Sequence, residues 1–411
     1  MSCTLPFLTE HLPGFNAELR VSNEDFFVEE IPRYTPTGAG THVFFLMEKS
    51  GLTTMEAIGR IASALDIKRR DIGYAGQKDA HGVTRQWISI EHMDPQTLLK
   101  RELSHIRFLD HGLHQNKLRV GHLKGNRFVI RLRHIDCPLS QATDRANAIL
   151  DELQLKGTPN YYGPQRFGNQ KNSHWLGKAI LSGDLDEFYD TFLGQPENAI
   201  ASNTLEGRTF FSQGDYQKAF EAWPPPFRDE RRLLRELIYQ KGHKQKAYRH
   251  VNKTMKRFYI SAFQSHVFNQ VLAARMPDLN IILNGDVAYK HENGACFLVE
   301  DPSLEQPRCD LFEISATGPI FGSHMKSPEH EGQRIEDPII QAQAAEILAH
   351  PTVLKKENIK GARRPLRIQP ENVSASAGSN DSGEFLELRF ELPAGSYATV
   401  LIRELLKRDV S

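Results

Sequence analysis

Two rhythms of apolar residues run along the chain, one of period two and one of period 3.6, and together they predict a mixture of strands and helices. Asn23-Glu24-Asp25-Phe26-Phe27-Val28-Glu29-Glu30-Ile31 reads as a turn entering a short alternating strand that Pro32 ends. His42-Val43-Phe44-Phe45-Leu46-Met47 is a continuous apolar run, expected to be a strand buried on both faces. Thr53 with Glu56 three residues later forms a capping box, and Ile58, Ile61, Ala62 and Leu65 follow at helical spacing, predicting an amphipathic helix packed on a sheet. Gln86 to Ile90, rich in β-branched and aromatic residues, predicts a further strand.

Leu118 and Val120, then Phe128, Ile130 and Leu132, alternate with Arg119, Arg127, Arg131 and Arg133. This predicts two strands joined at a Lys124-Gly125-Asn126 turn, with the basic residues on a shared outward face. A helix through Ala146, Ile149, Leu150 and Leu153 is expected to end at Gly157. From about residue 170 to 350 helical periodicity prevails, and Ile260, Phe263, Val267 and Val271 read as core. The Ser-, Asn-, Ala- and Gly-rich stretch from Glu371 to Gly383 is expected to be a mobile loop. Leu386, Leu388, Phe390 and Leu392 then alternate as a half-buried strand, and Ser396 is expected to cap a final helix carrying Ala398, Leu401, Ile402, Leu405 and Leu406.

With 411 residues the chain exceeds the usual single core, so two domains are expected. Hydrophobic residues at 39% and charged residues at 25% describe an ordinary soluble composition, without the long apolar run of a membrane span or the basic-then-apolar start of a signal peptide. A cytoplasmic location is the expectation. Cys3, Cys137, Cys296 and Cys309 are scattered without a Cys-x-x-Cys pair, which argues for reduced thiols. The 17 histidines include no recognisable ligand spacing, and no metal requirement is expected. A net charge of +0 hides three basic clusters: one from Lys117 to Arg133, one from Arg231 to Arg257 and one from Lys355 to Arg367. Any one of them is as readily a solvated face, but interleaved with Tyr248, Phe258 and Tyr259 they suit a folded RNA partner.

The candidate chemistry lies in Gly73-Tyr74-Ala75-Gly76-Gln77-Lys78-Asp79-Ala80-His81-Gly82, a loop delivered to the strand that begins before Gln86. Asp79 can be a working carboxylate or a turn residue bonding its own backbone; Lys78 and Arg85 would favour its ionised form if they approach it.

The stretch resembles the Gly-Gln/Leu-Lys-Asp loop and following Val-Thr-Gln-Trp-like strand of the tRNA pseudouridine synthase D (TruD) family, and the resemblance runs in the same motif order from about Arg20 to the C-terminus. It implies an α+β fold: a pseudouridine-synthase-like catalytic domain with a mainly antiparallel mixed sheet flanked by helices, interrupted by an inserted α/β domain. The expected boundaries are 1–158 and 366–411 for the catalytic domain and 159–365 for the insert, which in the family also carries a Gly-Asp strand like Gly285-Asp286.

By the same resemblance Asp79 is the catalytic carboxylate, Arg20 stands where the family has a lysine and supplies the compensating cation, Lys78 belongs to the motif, and Phe26 lines the pocket. Lys124 to Phe128 matches a Lys-Gly-Asn-x-Phe segment, in which Asn126 would orient the substrate and Phe128 would stack on the target base. Pro159 to Gly168 matches a further segment that assigns Asn160, Gln165 and Arg166 a site or RNA role, and Tyr397 replaces the phenylalanine of the closing motif. The implied activity is cofactor-free isomerisation of uridine to pseudouridine in tRNA, with uridine 13 of tRNA-Glu the leading target, by a monomer without a protein partner. A non-catalytic RNA-binding protein, or a carboxylate-dependent nucleoside or glycoside hydrolase, would share several of these features; no second carboxylate stands out for the latter.

Overall fold

The computed structural model describes residues 5–350 and 352–410. The chain forms two compact units. The first to be built along the sequence spans Phe7–Thr158 and Ile368–Arg408; the other is Pro159–Arg367 with short terminal segments.

The discontinuous unit is organised on a mixed sheet with nine strands among the described residues. In chain order β1 is Glu18–Leu19, β2 Phe26–Pro32, β3 His42–Ser50, β4 Gly73–Tyr74, β5 Val83–Glu91, β6 Ile106–His114 and β7 Leu123–Arg133. The C-terminal strands Glu371–Asn380 and Gly383–Pro393 complete it. The main order is Glu371–Asn380, Gly383–Pro393, β7, β2, β5, β3, β6, in which only β2 and β5 pair in parallel. Helix α1, Thr54–Leu65, begins at the expected box: Thr53 accepts from the Glu56 amide and Glu56 returns a carboxylate to the Thr53 amide. Its apolar stripe, Ile58 with Ile61 and Ala62, packs with Val43, Phe45, Met47, Ile88 and Ile90 of β3 and β5.

Four expectations need correction. Lys124-Gly125-Asn126 is not a turn but lies inside the long strand β7, where it pairs with β2 and with Gly383–Pro393; a Cβ on Gly125 would meet the Leu392 carbonyl. Leu118 and Val120 lie before that strand in irregular structure. Glu371–Asn380 is an edge strand rather than a mobile loop, because one side of it pairs with Gly383–Pro393 and its small side chains ask for little packing. The final helix, Ala398–Leu406, has Tyr397 and not Ser396 at its N-cap, with no side-chain cap.

The fourth correction concerns the arginines of β7. Arg133 is buried and forms a bidentate pair with Asp25, whose carboxyl is pushed up by burial but held below its usual range overall by Arg133 and Ser22. Arg127 is the fifth member of a row that crosses six strands on one face of the sheet: Arg107, Glu48, Arg85, Glu29, Arg127, Glu391, each opposite the next in register. Arg85 Nε donates to Glu48 at 2.9 Å, Arg127 Nη1 to Glu29 at 3.1 Å and Arg127 Nε to Glu391 at 2.8 Å, while Arg107 grips the other Glu48 oxygen. Arg85 is thereby turned away from Asp79.

The second unit is mainly helical. The helix Lys253–Ala274 runs against Ser173–Ser182 so closely that a Cβ on Gly177 would lie 2.1 Å from the Tyr259 carbonyl. Phe263, Val267, Phe188, Trp223 and Leu234 are among its core residues. A small sheet orders Cys296–Leu298, Val287–Lys290, Ile314–Ile320 and Ala362–Pro365. Gly285-Asp286 forms the turn just before Val287–Lys290, and buried Asp286 receives two bonds from Arg275. Cys3 lies outside the described residues; Cys137, Cys296 and Cys309 are free thiols. Among the described residues no group of three histidine, cysteine or acidic side chains is placed to hold a metal ion, and no described helix is long and apolar enough to cross a membrane.

Candidate active site

The Gly76–Gly82 loop leaves β4 and enters β5, and its conformation is held through its main chain. Gln86, in β5, donates to the Gly76 carbonyl at 3.0 Å. Thr54, the first residue of α1, accepts from the Lys78 amide at 2.8 Å, donates its hydroxyl to Gln86 at 2.8 Å and gives its own amide to the Lys78 carbonyl at 3.2 Å. Buried Lys49 of β3 donates to the Asp79 carbonyl at 2.9 Å and also to Leu52. The loop closes at Gly82, φ +150°, where a Cβ would sit 2.4 Å from the Phe26 carbonyl, so only glycine allows β2 this near.

These bonds leave the Asp79 carboxylate pointing outward, its side chain 61% exposed, on a backbone fixed from three sides. Its partner is Arg20, with Nη2 3.9 Å from Asp79 Oδ2. Arg20 follows β1 with φ +61°, a left-handed conformation that costs a residue with a side chain about 1 kcal/mol or more. Its guanidinium lies 4.3 Å over the ring of Phe26, which is buried. Burial pushes the Arg20 pKa down and Asp79 opposes it; Nε is buried with no hydrogen bond among the described residues. Burial likewise lowers Lys49 to about 8, against the pull of Asp79.

Beneath the loop lies a buried ion pair. Lys78 Nζ donates to Asn126 Oδ1 at 2.6 Å and stands 3.6 Å from Glu30 Oε2, beyond hydrogen-bond reach. Burial drives Glu30 up and Lys78 down, each opposed by its partner's charge. Glu30 and Asn126 are direct cross-strand neighbours, as are Val28 and Phe128, so Phe26, Val28 and Glu30 share a face with Asn126 and Phe128. Phe128 is buried, one side stacked on Phe390 with centroids 5.1 Å apart.

Arg20, Phe26, Lys78, Asp79, Asn126 and Phe128 thus belong to one unit, as does half-buried Tyr397. Asn160, Gln165 and Arg166 belong to the other. There Asn160 is buried, donating to the Pro365 carbonyl at 2.8 Å and accepting from Arg364, and Arg166 donates to Ser265 at 3.0 Å and to Ser261. Only Gln165 of the three is exposed. Glu30, Lys49, Thr54 and Gln86 escaped the sequence reading. Glu30 carried one signal, as a carboxylate in phase with the apolar positions Phe26 and Val28.

The family model for tRNA pseudouridine synthase D (TruD) matches residues 4–405. A Geotalea daltonii protein bearing that name is 44% identical over 404 residues, 98% of this chain and 99% of the relative. One from Thermus thermophilus is 37% identical over 409 residues, 98% and 92% respectively. A crystal structure from Methanosarcina mazei that carries the TruD name superposes with a TM-score of 0.84 over 98% of this chain and 96% of that one; at 24% identity it speaks for the fold alone.

Proposed function

The chain belongs to the tRNA pseudouridine synthase D (TruD) family, and from that premise we propose that it isomerises uridine to pseudouridine in tRNA, with Asp79 as the catalytic carboxylate and uridine 13 of tRNA-Glu as the target. The observation that carries the site assignment is the Gly76–Gly82 loop: the bonds that Gln86, Thr54 and Lys49 make to it fall on main-chain atoms, which leaves the Asp79 carboxylate for substrate while fixing where it stands.

A uridine stacked in a tRNA stem hides its glycosidic bond, so it is extruded at a cost of a few kcal/mol and held in the pocket. Phe26 and Phe128 line that pocket, and Asn126, held by Lys78, orients the uracil edge. Asp79 promotes cleavage of N1–C1′, by direct attack or by a glycal route. The freed uracil turns, C5 bonds to C1′, the C5 proton is lost and N1 gains one, so composition is unchanged. Arg20 compensates the carboxylate, and Tyr397 and Gln165 contact substrate. Asn160 and Arg166 act by holding their own loop. Residues 1–158 and 366–411 form the catalytic domain and 159–365 the insert; the protein works as a cytoplasmic monomer without a cofactor.

The test is incubation with unmodified tRNA-Glu transcript, chelator present, followed by carbodiimide-dependent reverse-transcription stops. A stop at position 13 is expected. Tight binding without any stop would leave a binding protein, and release of free uracil a hydrolase. In the same assay Arg20→Met is expected to lower kcat on the order of 100-fold, the scale of one lost electrostatic contact in a reacting site, with KM little changed. Arg20→Lys should recover most of it, and a methionine variant at full rate would remove Arg20 from the mechanism.

A further inference from the structure

The three basic clusters of the sequence meet different fates in the fold. Arg127 and Arg131 are matched by Glu29, Glu391 and Glu387, and Arg133 by Asp25. In the last cluster Arg363 holds Glu336 at 2.7 Å and Arg367 is buried against Cys309 and Phe312. Arg119, Lys124, Lys355, Lys356 and Lys360 of these two clusters are exposed as well, but the middle cluster, with Arg228 just before it, differs in setting its arginines along one helix face. On the helix Arg228–Tyr239, Leu233, Leu234 and Leu237 turn inward, and the opposite side carries Arg228, Arg232, Arg235 and Tyr239 at i, i+4, i+7 and i+11.

Arg232 has Asp229 as a partner one turn back, whereas Arg228 and Arg235 are exposed and make no ion pair among the described residues. Arg235 lies 5.4 Å over the ring of Phe220, which Arg231 also covers while donating to the Phe220 carbonyl at 2.8 Å. Tyr239 is 78% exposed at the end of the same stripe. Asp229 offsets Arg232 and Glu236 faces His250 on the same helix, so the charge left over along the stripe is that of Arg228 and Arg235, closed by an aromatic ring.

We propose that this stripe is a docking surface for the tRNA backbone, the arginines meeting phosphates and Tyr239 stacking on an unpaired base. It rests on the function proposed above and adds where, within the 159–367 unit, the nucleic acid lies. Guanidinium forks suit phosphate geometry, and their release of counterions makes binding salt-dependent. Over Arg228 to Arg235 the helix axis advances about 10 Å, enough to meet more than one phosphate.

The experiment measures tRNA affinity of the full chain by filter binding across a salt series, with conversion kinetics alongside. Arg228→Gln/Arg235→Gln is expected to weaken binding about 10-fold and flatten the log–log salt slope by roughly 1.5. Tyr239→Ala should weaken binding at least about 5-fold, the low end for a lost stack. Arg107→Gln, equally a surface arginine but one matched by Glu48, should bind within about 2-fold of wild type, as the counterion account requires. Unchanged affinity and slope in the double variant would overturn the proposal and assign the stripe to solvent or to an acidic protein. If wild type binds tRNA but forms no pseudouridine, the catalytic reading fails while the binding series still decides the stripe.

Discussion

Asn in place of Asp79 is expected to abolish pseudouridine formation, with a single-turnover rate lowered on the order of 10⁴-fold or more, the scale seen when a reacting carboxylate or its equivalent is removed. The amide keeps the size of the carboxylate. None of the bonds from Gln86, Thr54 and Lys49 that hold the loop involves the Asp79 side chain, so the variant should fold with stability within about 0.5 kcal/mol of wild type. Affinity for tRNA should also persist. Tritium release from 5-tritiated uridine in the transcript reports the C5 proton directly. Release at a rate approaching wild type would end the assignment of Asp79, since no amide can replace a nucleophilic or basic carboxylate.

The second large effect concerns stability. Lys78→Met removes the ammonium facing Glu30, whose side chain is only 1% exposed, and leaves a buried carboxylate without compensation. Breaking such a pair costs about 3 kcal/mol or more. The sign of its pH dependence follows from Glu30. Burial raises its folded pKa above the usual value, so its ionisation opposes folding: the fold is favoured while Glu30 is protonated and loses stability as pH rises through the raised value. The defect of Lys78→Met should therefore be largest at neutral pH and shrink toward pH 4, as urea midpoints would record. Glu30→Gln/Lys78→Met should recover most of the loss, because no charge remains buried. A defect independent of pH and unrepaired by the second change would mean that Lys78 acts through packing or Asn126 alone.

How much of this was legible in the sequence follows from what periodicity can carry. The Thr53–Glu56 box marked the start of α1 because its reciprocal bonds are local, and the alternation of Leu386 to Leu392 marked a strand for the same reason. Pairing is not local. Lys124-Gly125-Asn126 has turn composition, yet two neighbouring strands hold it extended. The residues Glu371 to Asn380 look mobile by composition, yet one ladder of hydrogen bonds is enough to order them. At the site the family motif led to Asp79, but the groups that fix it, Thr54, Lys49 and Gln86, come from three other elements and have no motif of their own. The basic clusters looked alike because a sequence lists charges without their partners. Only the fold sets Glu29 and Glu391 beside Arg127 while leaving Arg228 and Arg235 without them.

The charge row across six strands also acts as a ruler. Apolar alternation distinguishes registers that differ by one residue, since such a slip exchanges the faces, but it is indifferent to a slip of two. The row is not. Sliding β5 by two residues would bring Val83 or Trp87 opposite Glu29 and Glu48, costing each carboxylate one of its two arginines at once. The same slip would carry Asp79, four residues before the start of β5, about 7 Å along the sheet, farther than its whole separation from Arg20. Charges on the face turned away from the site thus select, among strand alignments of equal hydrophobic merit, the one alignment in which carboxylate and guanidinium meet.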